Sequence, residues 1–305
     1  MLSFIIRRLL IILPMALLVV TVTWGLVRMA PGNFYDNEIA LPAAVKANII
    51  KKYGLDKEWY QQYGIMMWNI VRGDFGDSVR YEGQSVNEII WRHLPYSATI
   101  GILAYLLALG IGLTAGIVAS LKQNSAFDYV SRSLAMLGQS VPNFVIGPLL
   151  VLVFALKLEW VRVSGWDDWI DRILPSITLG VLYAAYIARL TRGGMLEILS
   201  QDFIRTARAK GASQLRVVMK HALRGGLVPV VSYLGPAVAG LVTGSFVVES
   251  IFQVPGLGRY FVNAAFNRDY TMVLGAVLFY ASLIVLFNLL VDLVLVWMDP
   301  KQKFA

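Results

Sequence analysis

The sequence predicts an all-α membrane protein: six transmembrane helices, with a small helical extracytoplasmic lobe after the first. Three observations predict it. The chain is 57% hydrophobic and only 15% charged, with a mean hydropathy of +0.64, outside the range of a soluble domain. Long charge-free runs recur along it. On a six-span plan, Lys and Arg strongly outnumber Asp and Glu in the inner segments and are balanced by them in the outer ones, which places both termini in the cytoplasm. The net charge of +8 would suit nucleic acid, but it is segregated by membrane side and does not line one soluble face. With no cysteine, disulfides, thiolate metal sites and cysteine nucleophiles are excluded.

Arg7 and Arg8 precede a charge-free run over 9–27, long enough to cross the hydrocarbon at about 1.5 Å per residue. No small-x-small cleavage site follows at 27–31, so residues 1–30 read as an uncleaved anchor with its N-terminus inside. Residues 31–94 turn polar and form the expected lobe, too small for a large core of its own. In it, Pro42 suits the first turn of a helix over 43–53, and 57–72 carries Trp59, Tyr60, Tyr63 and Trp68 on an interfacial face. Gly73-Asp74-Phe75-Gly76-Asp77-Ser78 is a turn by composition. Ser85-Val86-Asn87-Glu88 is a capping box for a third short helix, expected to end before Pro95.

Residues 95–298 hold the other five spans, and 299–305 form a cytoplasmic tail. The run over 94–121 is followed by a short inside loop marked by Lys122, Asp128 and Arg132. Residues 133–156 return outward with Gln139, Ser140, Pro142, Asn143 and Pro148. Two prolines free backbone carbonyls and bend a helix, which suits a pathway lining, or simple packing. After outer residues Glu159, Asp167 and Asp171, the span over 173–188 ends with Arg189 and Arg192, which can snorkel to the inner surface.

The strongly basic segment 189–229 then reads as a cytoplasmic hairpin. Ile204, Ala207, Gly211, Leu215, Val218 and Ala222 recur at helical spacing, and Arg216, Lys220 and Arg224 form a basic ridge. Gly211 and Ser213 offer a break between two short helices. Pattern alone also fits a basic amphipathic pair resting on anionic headgroups. Spans follow over 225–248 and 270–291, joined by an outer segment over 249–269. Gly112-x-x-x-Gly116 and Gly240-x-x-x-Gly244, with Gly235, Pro236 and Ser245, allow close helix approach, to a second subunit or within the chain.

Catalytic patterns are poor. Gly110-x-Gly112-x-x-Ala115 lies inside a span with no preceding strand, and Gly138-Gln139-Ser140-Val141-Pro142 lacks the last glycine of a nucleophile elbow. His93 and His221 fall on opposite sides of the membrane, outside any metal-binding pattern. No P-loop occurs, so this chain has no motif to cradle ATP.

Thr206-Ala207-Arg208-Ala209-Lys210-Gly211 resembles the EAA loop of the membrane subunits of binding-protein-dependent ABC importers, in the form carried by peptide permeases. The chain departs from the general pattern in having Thr206 where the family has Glu. Gly73 to Ser78, Val254-Pro255-Gly256-Leu257-Gly258-Arg259, Asn267-Arg268-Asp269-Tyr270, Met29-Ala30-Pro31-Gly32 and Asp299-Pro300 extend the resemblance, to B-type subunits of oligopeptide and dipeptide permeases, over essentially the whole chain. It implies a type I ABC importer fold in a bacterial inner membrane. It also implies a heterodimer with a second permease subunit, two cytoplasmic ABC ATPase subunits holding ATP and Mg, and an extracytoplasmic peptide-binding protein. This chain would have no cofactor, metal or enzymatic activity of its own. Arg205, Thr206, Ala207, Arg208, Ala209, Lys210, Gly211, Ala212 and Ser213 would enter a cleft on an ATPase subunit. Gln139, Ser140, Pro142 and Asn143 are expected along the pathway, and Glu249, Pro255, Gly256 and Gly258 at an outer gate.

Three other readings stay open. One is a same-family permease for a nickel chelate or another small solute. Another is a stand-alone ion-coupled transporter, which needs a buried ionisable group; Asp292 is the only acidic candidate within a span. A membrane enzyme would need a catalytic pair within reach.

Overall fold

The computed structural model describes the backbone of residues 2–29, 50–51, 54, 56–81 and 83–298, and within 2–13 only Leu10 by its side chain. The helix expected over 43–53, apart from residues 50–51, the residues Ala30-Pro31-Gly32, the Arg7 and Arg8 side chains and the 299–305 tail lie outside these. Among the described residues there is no strand, only an isolated bridge between Asp77 and Ser85.

In chain order the helices are α1 (Leu2–Met29), α2 (Trp59–Val71), α3 (Val86–Leu121), α4 (Ala126–Ser140) and α5 (Asn143–Leu150), the last widening into a π-helical run Val151–Lys157. A 3-10 turn, Trp169–Arg172, leads into α6 (Ile173–Leu199), and α7 (Asp202–Ala209) follows. α8 (Gln214–Arg216) runs through a π-helical stretch, Val217–Ala222, into α9 (Leu223–Gly226). α10 (Val228–Val242), α11 (Phe246–Ile251), α12 (Leu257–Phe266) and α13 (Tyr270–Met298) complete the chain.

Four of these segments are long and apolar enough to cross a membrane: Val86–Leu121, Trp169–Leu199, Val228–Ile251 and Tyr270–Trp297. A fifth counts if α4 and the α5 limb, which meet at 106°, are one broken span. In α1 only Pro14–Met29 registers, as a shorter apolar helix, so among the described residues the expected six spans are four or five.

Two expectations about helix ends are corrected. Ser85 does cap a helix, its Oγ accepting from the Glu88 amide at 3.1 Å. That helix does not stop before Pro95, however, but continues as α3 to Leu121. A single missing amide is tolerated where an apolar helix has no water to reward unwinding. The span over 133–156 is not merely bent. It breaks at Val141-Pro142, because proline disfavours helical geometry at the residue before it and Val141 adopts extended backbone.

The chain divides into two compact units. The first comprises Met1–Leu94 and Leu257–Ser282. In it α2 packs on α1 through Trp24 and Tyr63, with ring centroids 5.3 Å apart, and through Thr21 and Tyr63 hydroxyls 2.6 Å apart. The Gly73–Ser78 turn and the Asn267–Tyr270 boundary, distant in sequence, meet at one carboxylate. Asp269 is fully buried and accepts from Ser78 Oγ and from the Val79, Arg80 and Met272 amides. Gly76, at φ +83, lies where a Cβ would come within 3.0 Å of Thr271.

The second unit comprises Pro95–Gly256 and Leu283–Ala305. Its core forms where α3, α6, α10 and α11 bury Ile100, Ala104, Leu179, Leu241 and Val248. A Cβ on Gly112 would sit 2.7 Å from Ile187, and one on Gly116 2.5 Å from Thr191. These two glycines therefore serve packing of α3 on α6 within the chain, and not contact with a second subunit.

Candidate functional site

The basic segment is a hairpin of two short helical limbs. Ile204 anchors α7 among Met195, Val217, Val218 and Ala222, all buried. The hairpin turns through a Schellman motif: the Gly211 amide donates to Arg208 O at 2.9 Å and the Ala212 amide to Ala207 O at 3.1 Å. That geometry requires positive φ at the residue after the cap, and Gly211 has φ +82. Ser213 then caps α8, accepting from the Arg216 amide at 3.4 Å. The break expected at Gly211 and Ser213 is present.

Arg205, Thr206, Arg208, Ala209, Lys210, Gly211 and Ser213 are exposed, while Ala207 and Ala212 are half-buried against the hairpin core. Thr206 Oγ1 donates to the Asp202 carbonyl at 3.0 Å, and Arg205 reaches Asp202 at 3.5 Å. Arg216, Lys220 and Arg224 are exposed as expected. Leu215 departs from its expected inward face and is 73% exposed, while Val217 is buried in its place. The turn at Gly211 interrupts the helix between Ile204 and Leu215, so one continuous 3.6-residue period does not carry across it.

The pathway candidates flank the break. Pro142 caps α5 and Ser140 Oγ bonds the Met136 carbonyl at 2.8 Å. Gln139 Nε2 and Asn143 Oδ1, on either side, are buried without a hydrogen-bond partner. Beyond the break, Gly147 packs against Ile251, a Cβ there falling 3.2 Å from its Cδ1. The pathway candidates Asn143 and Pro142 and the gate candidate Glu249 thus lie at or on neighbouring helices, α5 and α11.

Glu249 does not sit in an open outer loop. It lies in α11, fully buried, and accepts from Ser97 Oγ of α3 at 2.7 Å. Gly256 abuts this pair so closely that a Cβ would lie 2.5 Å from Glu249 Cδ, and Gly244 (φ +87) is pressed against the same carboxylate. Pro255 therefore belongs to a turn folded onto Glu249, whereas Gly258 is buried in the first turn of α12. Among the described residues, no three His, Asp or Glu side chains converge as metal ligands would.

Sequence reasoning missed two functional candidates. Ser97 looks like any small residue in an apolar run. Arg192 is not a snorkelling end residue: its guanidinium forks onto the buried Asp128 of α4, Nε to Oδ1 at 2.6 Å and Nη2 to Oδ2 at 2.9 Å. The available signal was a lone acid, Asp128, and a base, Arg192, each at the inner end of an apolar run.

Residues 112–304 match the family described as binding-protein-dependent transport system inner membrane component. The oligopeptide transport system permease protein OppB of Haemophilus influenzae is 46% identical, with all of both chains covered. The protein of the same name from Salmonella typhimurium is 44% identical over the full length of both. The dipeptide transport system permease protein DppB of Bacillus subtilis is 40% identical, covering 94% of this chain and 93% of that protein. Among solved structures, a chain of the inward-facing MetNI methionine ABC transporter aligns with a TM-score of 0.56 at 18% identity, over 69% of this chain and 96% of that one. This likeness concerns the fold alone and agrees with the type I importer architecture expected. The chain belongs to the inner membrane components of binding-protein-dependent transport systems.

Proposed function

We propose that this chain is one of two membrane subunits of an ATP-driven importer of oligopeptides or dipeptides, and that residues 205–213 are the segment on which the partner ATPases act. The single observation that carries the coupling reading is the exposure of the hairpin. Ile204 is the only buried residue of α7, while Phe203 and Leu215 expose 49% and 73% of their surface beside Arg205, Arg208 and Lys210. Such an apolar and basic knob, its tip closed by the Schellman motif and the Ser213 cap, fits a cleft on a soluble protein. The peptide assignment rests on the full-length relatives named above.

In this reading ATP and Mg belong to two ATPase subunits, an extracytoplasmic binding protein delivers the peptide, and both termini of this chain face the cytoplasm. Closure of the ATPases displaces α7, and the packed spans follow as rigid bodies. The broken α4–α5 limb and the Glu249 turn are the parts that open and close the path.

Affinity purification of the tagged chain from membranes tests the proposal. A Cβ at Gly211 meets nothing within 4 Å in this chain, and Asp is among the residues best tolerated at positive φ. Gly211→Asp therefore puts a charge on the partner-facing surface and strains the turn at φ +82, so retention of the variant's fold is measured alongside. The expected result is that P-loop ATPases co-purify with wild type and are lost or weakened with Gly211→Asp. Absence of any ATPase, with uptake intact in proteoliposomes holding this chain alone, would overturn it.

A further inference from the structure

We propose that the Asp128–Arg192 pair is the joint that carries movement of the hairpin to the broken α4–α5 helix, making both side chains positioning residues for transport. This rests on the reading of the hairpin as the ATPase contact.

The geometry around the pair is that of a joint. The Asp128 side chain is fully buried and the Arg192 side chain 19% exposed. Both carboxylate oxygens meet the guanidinium fork, an arrangement that fixes orientation as well as distance. Asp128 Oδ2 also accepts from the Asn124 amide at 3.0 Å, and its own amide donates to Ser125 Oγ at 3.3 Å, so the carboxylate is welded to the first turn of α4. Arg132 approaches the same carboxylate at 3.4 Å but is 45% exposed.

The other end of the joint is the last part of α6, which leads directly into α7. Gly194 and Ile198 hold the returning limb of the hairpin: a Cβ on Gly194 would collide with the Gly226 carbonyl, and Gly225 is backed by Ile198. At about 100° per residue these two lie roughly on the opposite face of α6 from Arg192. α6 therefore has the hairpin fastened to one side and α4 pinned to the other. Further along, Gly138 rests on Ala185, its Cβ position 3.1 Å away, just before the break at Val141-Pro142. A displacement of the hairpin is thus delivered through Arg192 to the first turn of α4, and the broken segment is where it can be taken up.

The test uses the assembled complex in proteoliposomes, with partner permease, ATPases and peptide-loaded binding protein, measuring peptide uptake and ATP hydrolysis in the same vesicles. Arg192→Lys and Asp128→Glu keep both charges but lose the fork, since an ammonium is a point charge and the longer acid shifts the carboxylate. The expected result is that ATPase subunits still co-purify and binding-protein-stimulated hydrolysis continues, while peptide taken up per ATP falls about tenfold. The exchanged pair, Asp128→Arg with Arg192→Asp, should recover part of that ratio. Arg132→Ala, which leaves the fork intact, should keep it.

If uptake and hydrolysis fall in parallel, or uptake per ATP is unchanged, the pair is only a brace and the proposal is wrong. If a single variant fails to assemble, the exchanged pair decides: an assembled exchange with a ratio no better than the assembled single variant, or reduced only in parallel with hydrolysis, overturns the joint. Failure of the coupling reading itself shows differently, as no ATPase co-purifying with wild type.

Discussion

Glu249 sets the terms at the scale of single residues. A carboxylate removed from water in a helical membrane protein is tolerated only when donors surround it, and Ser97 Oγ is one such donor, 2.7 Å away. Gly244 and Gly256 make room for it by having no side chain. Removing the serine hydroxyl should therefore cost about 1.5–3 kcal/mol, the range for hydrogen bonds to charged groups. We expect Ser97→Ala to lower the unfolding midpoint in detergent, and to do so much less in a Glu249→Gln background. Strictly additive losses in that double-mutant cycle would show that the two side chains do not act together. Glu249 stood out in the sequence as an acid in an otherwise apolar stretch. Ser97 did not, because nothing local distinguishes a serine that serves a carboxylate from one that fills space.

At the scale of elements, residues Ser78 to Arg80 are tied to the start of α13 through the Asp269 carboxylate. Asp269 caps α13 through the Met272 amide, at 3.0 Å, and gathers the Val79 and Arg80 amides at 3.3 and 3.2 Å. Replacing it with Asn leaves a shape match but removes the charge that strengthens each bond. We predict that in Asp269→Asn the Val79, Arg80 and Met272 amides exchange with solvent about tenfold faster or more, with α7 amides unaffected. Unchanged exchange at these three amides would mean the turn is held by something else. Two helix ends also show where local rules stop. Proline at 95 reads as a terminator, yet α3 passes through it, because in an apolar environment ending the helix would strand more backbone groups than one missing amide does. Leu215 reads as inward on a 3.6-residue period, yet the turn at Gly211 breaks that period before it and Leu215 is exposed.

For the whole molecule, the six-span plan makes a directional prediction that the absence of cysteine makes easy to check. Single cysteines placed at Lys210 and at Glu159 should react with a membrane-impermeant maleimide from opposite sides: Lys210 only in inverted vesicles, Glu159 only in intact cells stripped of the outer barrier. Labelling of both from the same side would refute the proposed topology. Much of this scale was legible in the sequence. Apolar runs, the basic hairpin, its break at Gly211 and Ser213, and the membrane-bound all-α class follow from hydropathy, charge and turn chemistry, which are properties of neighbouring residues. Only the tertiary structure decided which polar groups answer each other. Asp128 meets Arg192 across 64 positions, Ser97 meets Glu249 across 152, and Ser78 meets Asp269 across 191. Gly112 and Gly116 were likewise placed against α6 of the same chain by the assembly of helices. The physical reason is one of range. Periodicity and charge segregation fix where a chain can cross a membrane, whereas the partner of a buried charge is fixed by how the crossings pack.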